Sequence, residues 1–252
     1  MRYMKNVKKA NSSCTSFCIG VLSGKIPEGG NFTKVSAEKI KTVHSKNPVK
    51  VHVMKSVEKD FYYIPRHGEE RTIPPHMINY RANISALKSA GVKFIIALNS
   101  AGSLKSQIPP GSIVIPDDYI NLWDPVTFFD DKIVHGMPSL SQVLRKSILE
   151  AARRTGMKVI DRGVYVNTRG PMLETPAEVR LLKSFGDLVG MTMAKEAALA
   201  KEAGLEYASI CSVDNYANGI TPKPLNNDEI VSTSRKNFES VLRLLSETLK
   251  NL

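Results

Sequence analysis

The residues best suited to chemistry stand in short polar clusters, each at the end of an apolar run. The stretch 63–68 places Arg66 and His67 in a turn directly after an extended segment, and the continuation to Lys88 starts a helix. An arginine and a histidine at a strand end make an anion site. The guanidinium offers a planar fork of donors, and the imidazole adds a hydrogen bond to an anion oxygen or a sugar hydroxyl. Asn99-Ser100-Ala101-Gly102-Ser103 supplies hydroxyls and main-chain N–H groups around a glycine, a small-residue turn able to cradle an anion. Gly190-Met191-Thr192 and Ser212-Val213-Asp214-Asn215-Tyr216 repeat the arrangement at two further run ends.

Elements that must position these clusters follow from periodicity and breakers. A buried strand is expected over 17–22, ended by Ser23-Gly24 and a turn-rich segment over 26–30, with short strands over 49–53 and 60–64. A helix over 79–90 closes at Gly91 and leads into a nearly continuous apolar strand over 92–98. Further strands are expected over 111–116, 158–167, 189–191 and 207–213, and helices over 139–155, 176–184, 196–203 and 227–250. The helix at 176 carries its own start signal: Thr175 as N-cap, Pro176 at the first position and Glu178 three residues after the cap. This alternation predicts an α/β fold, a mixed or mostly parallel sheet covered on both faces, in one domain spanning 1–252 with 1–16 as a flexible extension. Ligands in such sheets gather beyond strand C-termini, which is where the polar clusters fall.

Composition narrows the function. The chain has 252 residues, 42% of them hydrophobic, enough for a substantial core. Its 35 basic and 24 acidic side chains leave a net charge of +11, but the basic residues are dispersed, with dense patches only at 5–9, 34–50 and Arg153-Arg154. A basic surface that steers anionic phosphate is favoured over nucleic-acid binding. Cys14, Cys18 and Cys211 have no Cys-x-x-Cys arrangement, and the five histidines form no ligand cluster, so neither a disulfide scaffold nor a metal is expected. No stretch approaches the ~20 apolar residues of a membrane span, so a soluble cytoplasmic protein is expected.

Taken in order, the clusters resemble the purine nucleoside phosphorylase superfamily over roughly residues 50–245, specifically its trimeric branch with the methylthioadenosine phosphorylases and their methylthioinosine-preferring relatives. The resemblance implies that Arg66, His67, Ser100 and Thr192 bind the attacking phosphate, that Met191 packs under the ribose and that Ala101 is among the substrate-binding residues. One departure stands out. The family opens with a Gly-Gly-Ser/Thr-Gly loop around phosphate, whereas this chain reads Gly20-Val21-Leu22-Ser23-Gly24-Lys25. Ser23 and Gly24 preserve part of that loop, and Lys25 is able to supply charge.

The resemblance also assigns the base pocket. Gly170 to Glu178 follows the family's Gly-Pro-x-Phe-Glu-Thr-x-Ala-Glu segment, so Leu173 replaces an aromatic that lies on the purine and Glu174 stands where 6-oxopurine enzymes accept the N1–H. Asn215 falls where adenosine-type members carry aspartate, and Ala217 where they carry a second one. An amide presents donor and acceptor together, matching O6 and the N7–H of a departing 6-oxopurine. Strand alternation puts Asp214 on the opposite face from Asn215. Near the 5' position the alignment lands on Ile230 and Val231, which suits a methylthio group, although one methyl-sized contact discriminates by only ~1–3 kcal/mol.

What is implied is phosphorolysis of inosine, guanosine or 5'-methylthioinosine, with Asn215, Glu174 and His67 in the chemical step, phosphate as co-substrate and no cofactor. A 5'-methylthioadenosine phosphorylase and a catalytically silent nucleoside-binding protein are the alternatives. His135 lies in a segment, 126–137, resembling the loop a neighbouring subunit contributes in the family, so a homotrimer or hexamer is implied. Neither a nucleic acid nor a membrane is an expected partner.

Overall fold

The computed structural model describes residues 18–25 and 31–252. The expected extension over 1–16, the start of the first strand at Phe17, Cys14 and the turn at 26–30 lie outside the described residues. The strands are β1 Ile19–Ser23, β2 Phe32–Ile40, β3 Val49–Ser56, β4 Phe61–Pro65, β5 Phe94–Ser103, β6 Ile113–Ile115, β7 Asp118–Ile120, β8 Ile160–Asp161, β9 Val164–Asn167, β10 Leu188–Gly190 and β11 Glu206–Tyr216. The helices are α1 Tyr80–Ser89, α2 Gln142–Arg154, α3 Pro176–Leu182, α4 Met193–Glu202 and α5 Asn227–Leu249. All the strands join one mixed sheet, ordered β2-β3-β4-β1-β5-β10-β9-β7, with β11 on the other flank of β5 and leading through β6 to β8.

Side-chain alternation along the central strands divides the core into two layers. In β5, Ile95 and Ala97 join a cluster with Ile84 and Leu87 of α1 and Met193, Ala197 and Leu199 of α4. Ile96 and Leu98 face the other way, onto Leu144 and Ile148 of α2 and Val241, Leu244 and Leu245 of α5. This is the period-2 geometry of a sheet buried on both faces. The start signal at 175–178 acts as read, Thr175 with Glu178 forming a reciprocal capping box at α3, while Asn79, expected inside its helix, is instead the N-cap of α1 and accepts from the Ala82 N–H.

Four elements differ from the sequence expectation, one of them the short strand β7, which was not expected. Strand β2 was not expected, because its pairing with β3 leaves most of its side chains exposed and so imposes no apolar alternation. Asn99–Ser103 is not a turn. It continues β5, held by ladder pairing to β11 as far as Tyr216. The single strand expected over 158–167 is two, β8 and β9, separated at Arg162 and Gly163, both with positive φ.

Topology creates the site. The first half of β5 pairs with β1 in parallel, Ser23 lying opposite Leu98. The last part of the same flank pairs with β10 in antiparallel, Val189 lying opposite Gly102. The C-terminal ends of β1 and β10 therefore point at one another across a gap in the sheet, opposite Asn99, Ser100 and Ala101. Gly190 closes β10 where a Cβ would lie 2.1 Å from the buried Tyr165 hydroxyl oxygen. Gly190→Ala is expected to destabilise the fold by about 1–3 kcal/mol through overpacking. Denaturant unfolding checks this, and an unchanged midpoint would show that Tyr165 yields freely.

Candidate active site

A cavity of about 590 Å³ opens at the gap, between the ends of β1, β4, β5, β10 and β11 and one face of α5. The residues given phosphate or substrate roles from the sequence all line it: Ser23, Arg66, His67, Ser100, Ala101, Leu173, Glu174, Met191, Thr192, Asn215, Ala217 and Val231, whereas His135 does not. Asp214 is absent from the lining, in keeping with its expected opposite orientation. The cause is a bulge: Val213 pairs with Ala101 and Asn215 with Gly102, leaving Asp214 as the extra residue. Buried behind the wall, Asp214 accepts from the Ser100 hydroxyl and from Nδ2 of Asn237 on α5, the latter at 2.8 Å.

Arg66 lies at the centre and is 3% exposed. Its Nε and Nη2 donate to the Glu196 carboxylate at 2.5 and 3.0 Å. Nη2 also donates to the Leu22 carbonyl at 2.9 Å, and Nη1 to the Leu98 carbonyl at 2.8 Å. Four of its five N–H donors are thus engaged with protein, not turned toward the cavity as the sequence reading had them. Burial disfavours the cation, but the attraction and hydrogen bonds of Glu196 more than offset it, so Arg66 holds its proton more tightly than a free arginine. Glu196 was read only as a helix start.

His67 is fixed by its ring Nδ1, 2.8 Å from the Ile73 carbonyl. A carbonyl only accepts, so Nδ1 carries the proton. Burial lowers the imidazole pKa below its ordinary 6.5, the Ile73 carbonyl partly opposes this, and the neighbouring Arg66 charge adds to it. At neutral pH the ring is uncharged and its Nε2 has a free lone pair. The Ser100 hydroxyl donates its hydrogen bond to Asp214, whereas Thr192 accepts from Asn99 Nδ2 at 2.8 Å and keeps its own O–H unused. Thr192, although the N-cap of α4, makes no side-chain capping bond, so its oxygen accepts from Asn99 alone and its O–H has no acceptor among the described residues. Tyr165 and Asn167 take the helix N–H groups in its place, at Thr192 and Ala194.

The opposite wall carries the base-type donors and acceptors. Glu174, buried, accepts from the Thr168 hydroxyl at 2.7 Å through one oxygen. Asn215 donates one amide hydrogen to the Tyr216 carbonyl at 2.7 Å, leaving one N–H and its oxygen. Gly102 permits this placement, since a Cβ there would lie 3.3 Å from Asn215 Nδ2. Gly170 likewise makes room for Met191, whose sulfur a Cβ would meet at 2.4 Å. Leu173 and Val231 stand partly exposed at the mouth. Sequence reasoning missed the extent of the α5 wall. Asn227, Ile230, Val231, Ser234, Arg235, Phe238 and Val241 all face the cavity, a spacing of three and four that was legible as one helix face. Arg71 was passed over as well.

Residues 19–250 match the model of the phosphorylase superfamily. The chain belongs to that family. It is 44% identical over 194 residues to a probable 6-oxopurine nucleoside phosphorylase of Archaeoglobus fulgidus, covering 77% of this chain and 80% of that one. The 6-oxopurine nucleoside phosphorylase of Pyrococcus furiosus is 38% identical over 82% of this chain and 83% of its own. Among solved structures, a variant of the adenosine/methylthioadenosine phosphorylase from Schistosoma mansoni in complex with adenine superposes with a TM-score of 0.82 at 26% identity, covering 92% of this chain and 91% of that chain. The nucleoside phosphorylase fold is therefore common to the two.

Two measurements follow from the geometry. Glu196→Ala leaves a buried, unpaired guanidinium and is expected to cost about 3–5 kcal/mol of stability. A loss below about 1 kcal/mol in urea unfolding would show that water replaces the carboxylate. For His67, an NMR titration should give a midpoint below 6.5, with the proton on Nδ1 above it. Because the folded state binds this proton less readily than the unfolded chain, its stabilising contribution is present above pH 6.5 and is lost as the pH falls through the folded midpoint. A midpoint above 6.5 would mean that nearby carboxylates outweigh burial.

Proposed function

We propose that this protein is an enzyme that cleaves 6-oxopurine nucleosides (inosine, guanosine or 5'-methylthioinosine) with phosphate, releasing the free base and ribose 1-phosphate or its 5-methylthio form. The observation that carries the reading is Asn215 at the bulged end of β11, with a free N–H and a free carbonyl oxygen facing the same cavity as Glu174. That pair matches O6 and N7–H on one edge of a 6-oxopurine and N1–H on another. The relatives named as 6-oxopurine nucleoside phosphorylases support the same base class.

A phosphate oxygen attacks C1' as the C1'–N9 bond breaks, and the electron pair leaves with the base. The proton that hydrogenphosphate brings ends on the purine. The neutral Nε2 of His67 is suited to accept a hydrogen bond from the P–OH or a ribose hydroxyl, and Thr192 to donate one to a phosphate oxygen. Asn215 and Glu174 stabilise the negative charge that grows on the base, an interaction stronger in the transition state than in the bound nucleoside. No covalent nucleophile takes part; orientation within one cavity supplies the rest.

A 5'-methylthioadenosine phosphorylase is the second reading, favoured by the fold shared with the Schistosoma mansoni enzyme. Asn215 and Ala217 argue against it, since neither offers a carboxylate to a 6-amino group. We assign the chain to the trimeric branch. The segment 121–138 exposes Leu122, Trp123, Ile133, Val134 and Met137, an apolar surface suited to a neighbouring subunit.

Incubation with inosine, guanosine, 5'-methylthioinosine and 5'-methylthioadenosine should release hypoxanthine or guanine only when phosphate is present. Asn215→Ala should lower kcat/KM for the best of these by roughly 10²-fold or more, and Asn215→Asp should move the preference toward 6-aminopurines. Adenine release without hypoxanthine release would refute the base assignment.

A further inference from the structure

His67 stands on a stretch that no regular element holds. Residues 66–74, between β4 and α1, form neither strand nor α-helix. Within them Gly68 donates to the Pro65 carbonyl at 2.9 Å, Arg71 to the Gly68 carbonyl at 3.1 Å and Ile73 to the His67 carbonyl at 3.0 Å. Gly68 and Arg71 have φ of 78° and 54°, the left-handed conformation that folds the chain back sharply. These bonds shape the turn without tying it to the sheet. Beyond Arg66, the hydrogen bonds that join this turn to another element among the described residues are those of a single side chain, Glu69.

The partner of Glu69 is His52, fully buried on β3 and paired across the ladder with Tyr63 of β4. The two rings stack with 5.9 Å between centres and 29° between planes. A carboxylate only accepts, so His52 Nε2, 2.6 Å from Glu69 Oε1, carries the proton. Nδ1 of the same ring is buried with no hydrogen-bond partner. A phenylalanine would stack on Tyr63 and leave no polar atom unpaired, so packing alone does not account for an imidazole here. What the imidazole adds is the Nε2–H, directed at the one side chain that anchors the turn. The other oxygen of Glu69 accepts from Lys50 Nζ at 3.2 Å, with Lys34 Nζ at 3.9 Å, and both lysines are open to solvent. Such exposed pairs contribute little to holding a position. Burial raises the Glu69 pKa, but the hydrogen bonds from His52 and Lys50 more than offset this, so the acceptor stays a carboxylate at neutral pH.

We infer that His52 and Glu69 are positioning residues, which fasten the turn 66–73 to β3 and thereby set where Nε2 of His67 stands in the cavity. The fit there is close: a Cβ on Gly24, at the end of β1, would lie 3.1 Å from His67 Cδ2 and 3.6 Å from Nε2. A turn that swings free of β3 carries the ring out of this place. The effect on turnover rests on the phosphorylase reading, whereas the tether itself is a property of the fold.

The test uses His52→Phe, Glu69→Ala and His52→Gln, whose amide restores a donor. Val51→Ala, at the fully buried neighbour on β3, is the control for lost core packing. By NMR, the His67 titration midpoint should move up toward 6.5 in His52→Phe and Glu69→Ala, because a loosened turn admits water to a ring whose pKa burial holds down. It should stay at the wild-type value in His52→Gln and Val51→Ala. In turnover, kcat/KM for phosphate should fall about tenfold or more in the first two variants, as expected for a displaced active-site group, and recover in His52→Gln. Unchanged midpoints, or unchanged turnover by an active protein, in both His52→Phe and Glu69→Ala would overturn the inference. Equal changes in Val51→Ala would do the same, since they would trace to packing. Should His52→Phe fail to fold, Glu69→Ala, at a partly exposed position, decides. If the wild-type protein releases no base from any nucleoside, the phosphorylase reading fails by itself, and the His67 titration still reports on the tether.

Discussion

The buried guanidinium of Arg66 is the contact on which the site depends. It follows β4 in the chain, binds carbonyls at the ends of β1 and β5, and pairs with Glu196 in the first turn of α4. Four elements thus meet at one side chain where the sheet opens and the strand ends lose their ladder partners. A lysine could not replace it, because only a planar fork satisfies two carbonyls and both carboxylate oxygens at once.

A second set of contacts supports the opposite wall. The bulge at Asp214 turns one carboxylate inward, where it receives Ser100 from β5 and Asn237 from α5. Asn237 also donates to the Val213 carbonyl at 2.9 Å, which accepts from the Gly111 N–H as well. One irregular residue in β11 therefore orients Asn215 into the cavity, fixes the hydroxyl of Ser100 and attaches the helix that forms the outer wall. The polar groups are satisfied in pairs, as burial requires, and those left with unused donors or acceptors face the cavity: Thr192, His67 Nε2, Asn215, Glu174 and Lys25.

Charge is distributed unevenly across this space. The base-type wall holds the Glu174 carboxylate, while Lys25, Arg71 and Arg235 gather toward β1 and α5. No helix of the described chain is long and apolar enough to cross a membrane, and the excess of basic charge adds a long-range attraction for anions to the local one.

By itself the sequence determined what depends on neighbours within a few residues. The capping box at Thr175, the buried strands β5 and β11 and the placing of polar clusters at strand ends were all legible, because propensity and period are local. Tertiary structure decided the partners. Arg66 reads as an anion fork in sequence, but it meets Glu196 from 130 residues away. Asn99–Ser103 reads as a turn, yet ladder bonds from β11 keep it extended. Beyond the buried Phe32, strand β2 is mostly exposed and carries no apolar alternation, since it is held by main-chain pairing to β3. Which donors remain free for a ligand depends on which ones the fold has already engaged, and that is fixed by contacts between segments that no local pattern records.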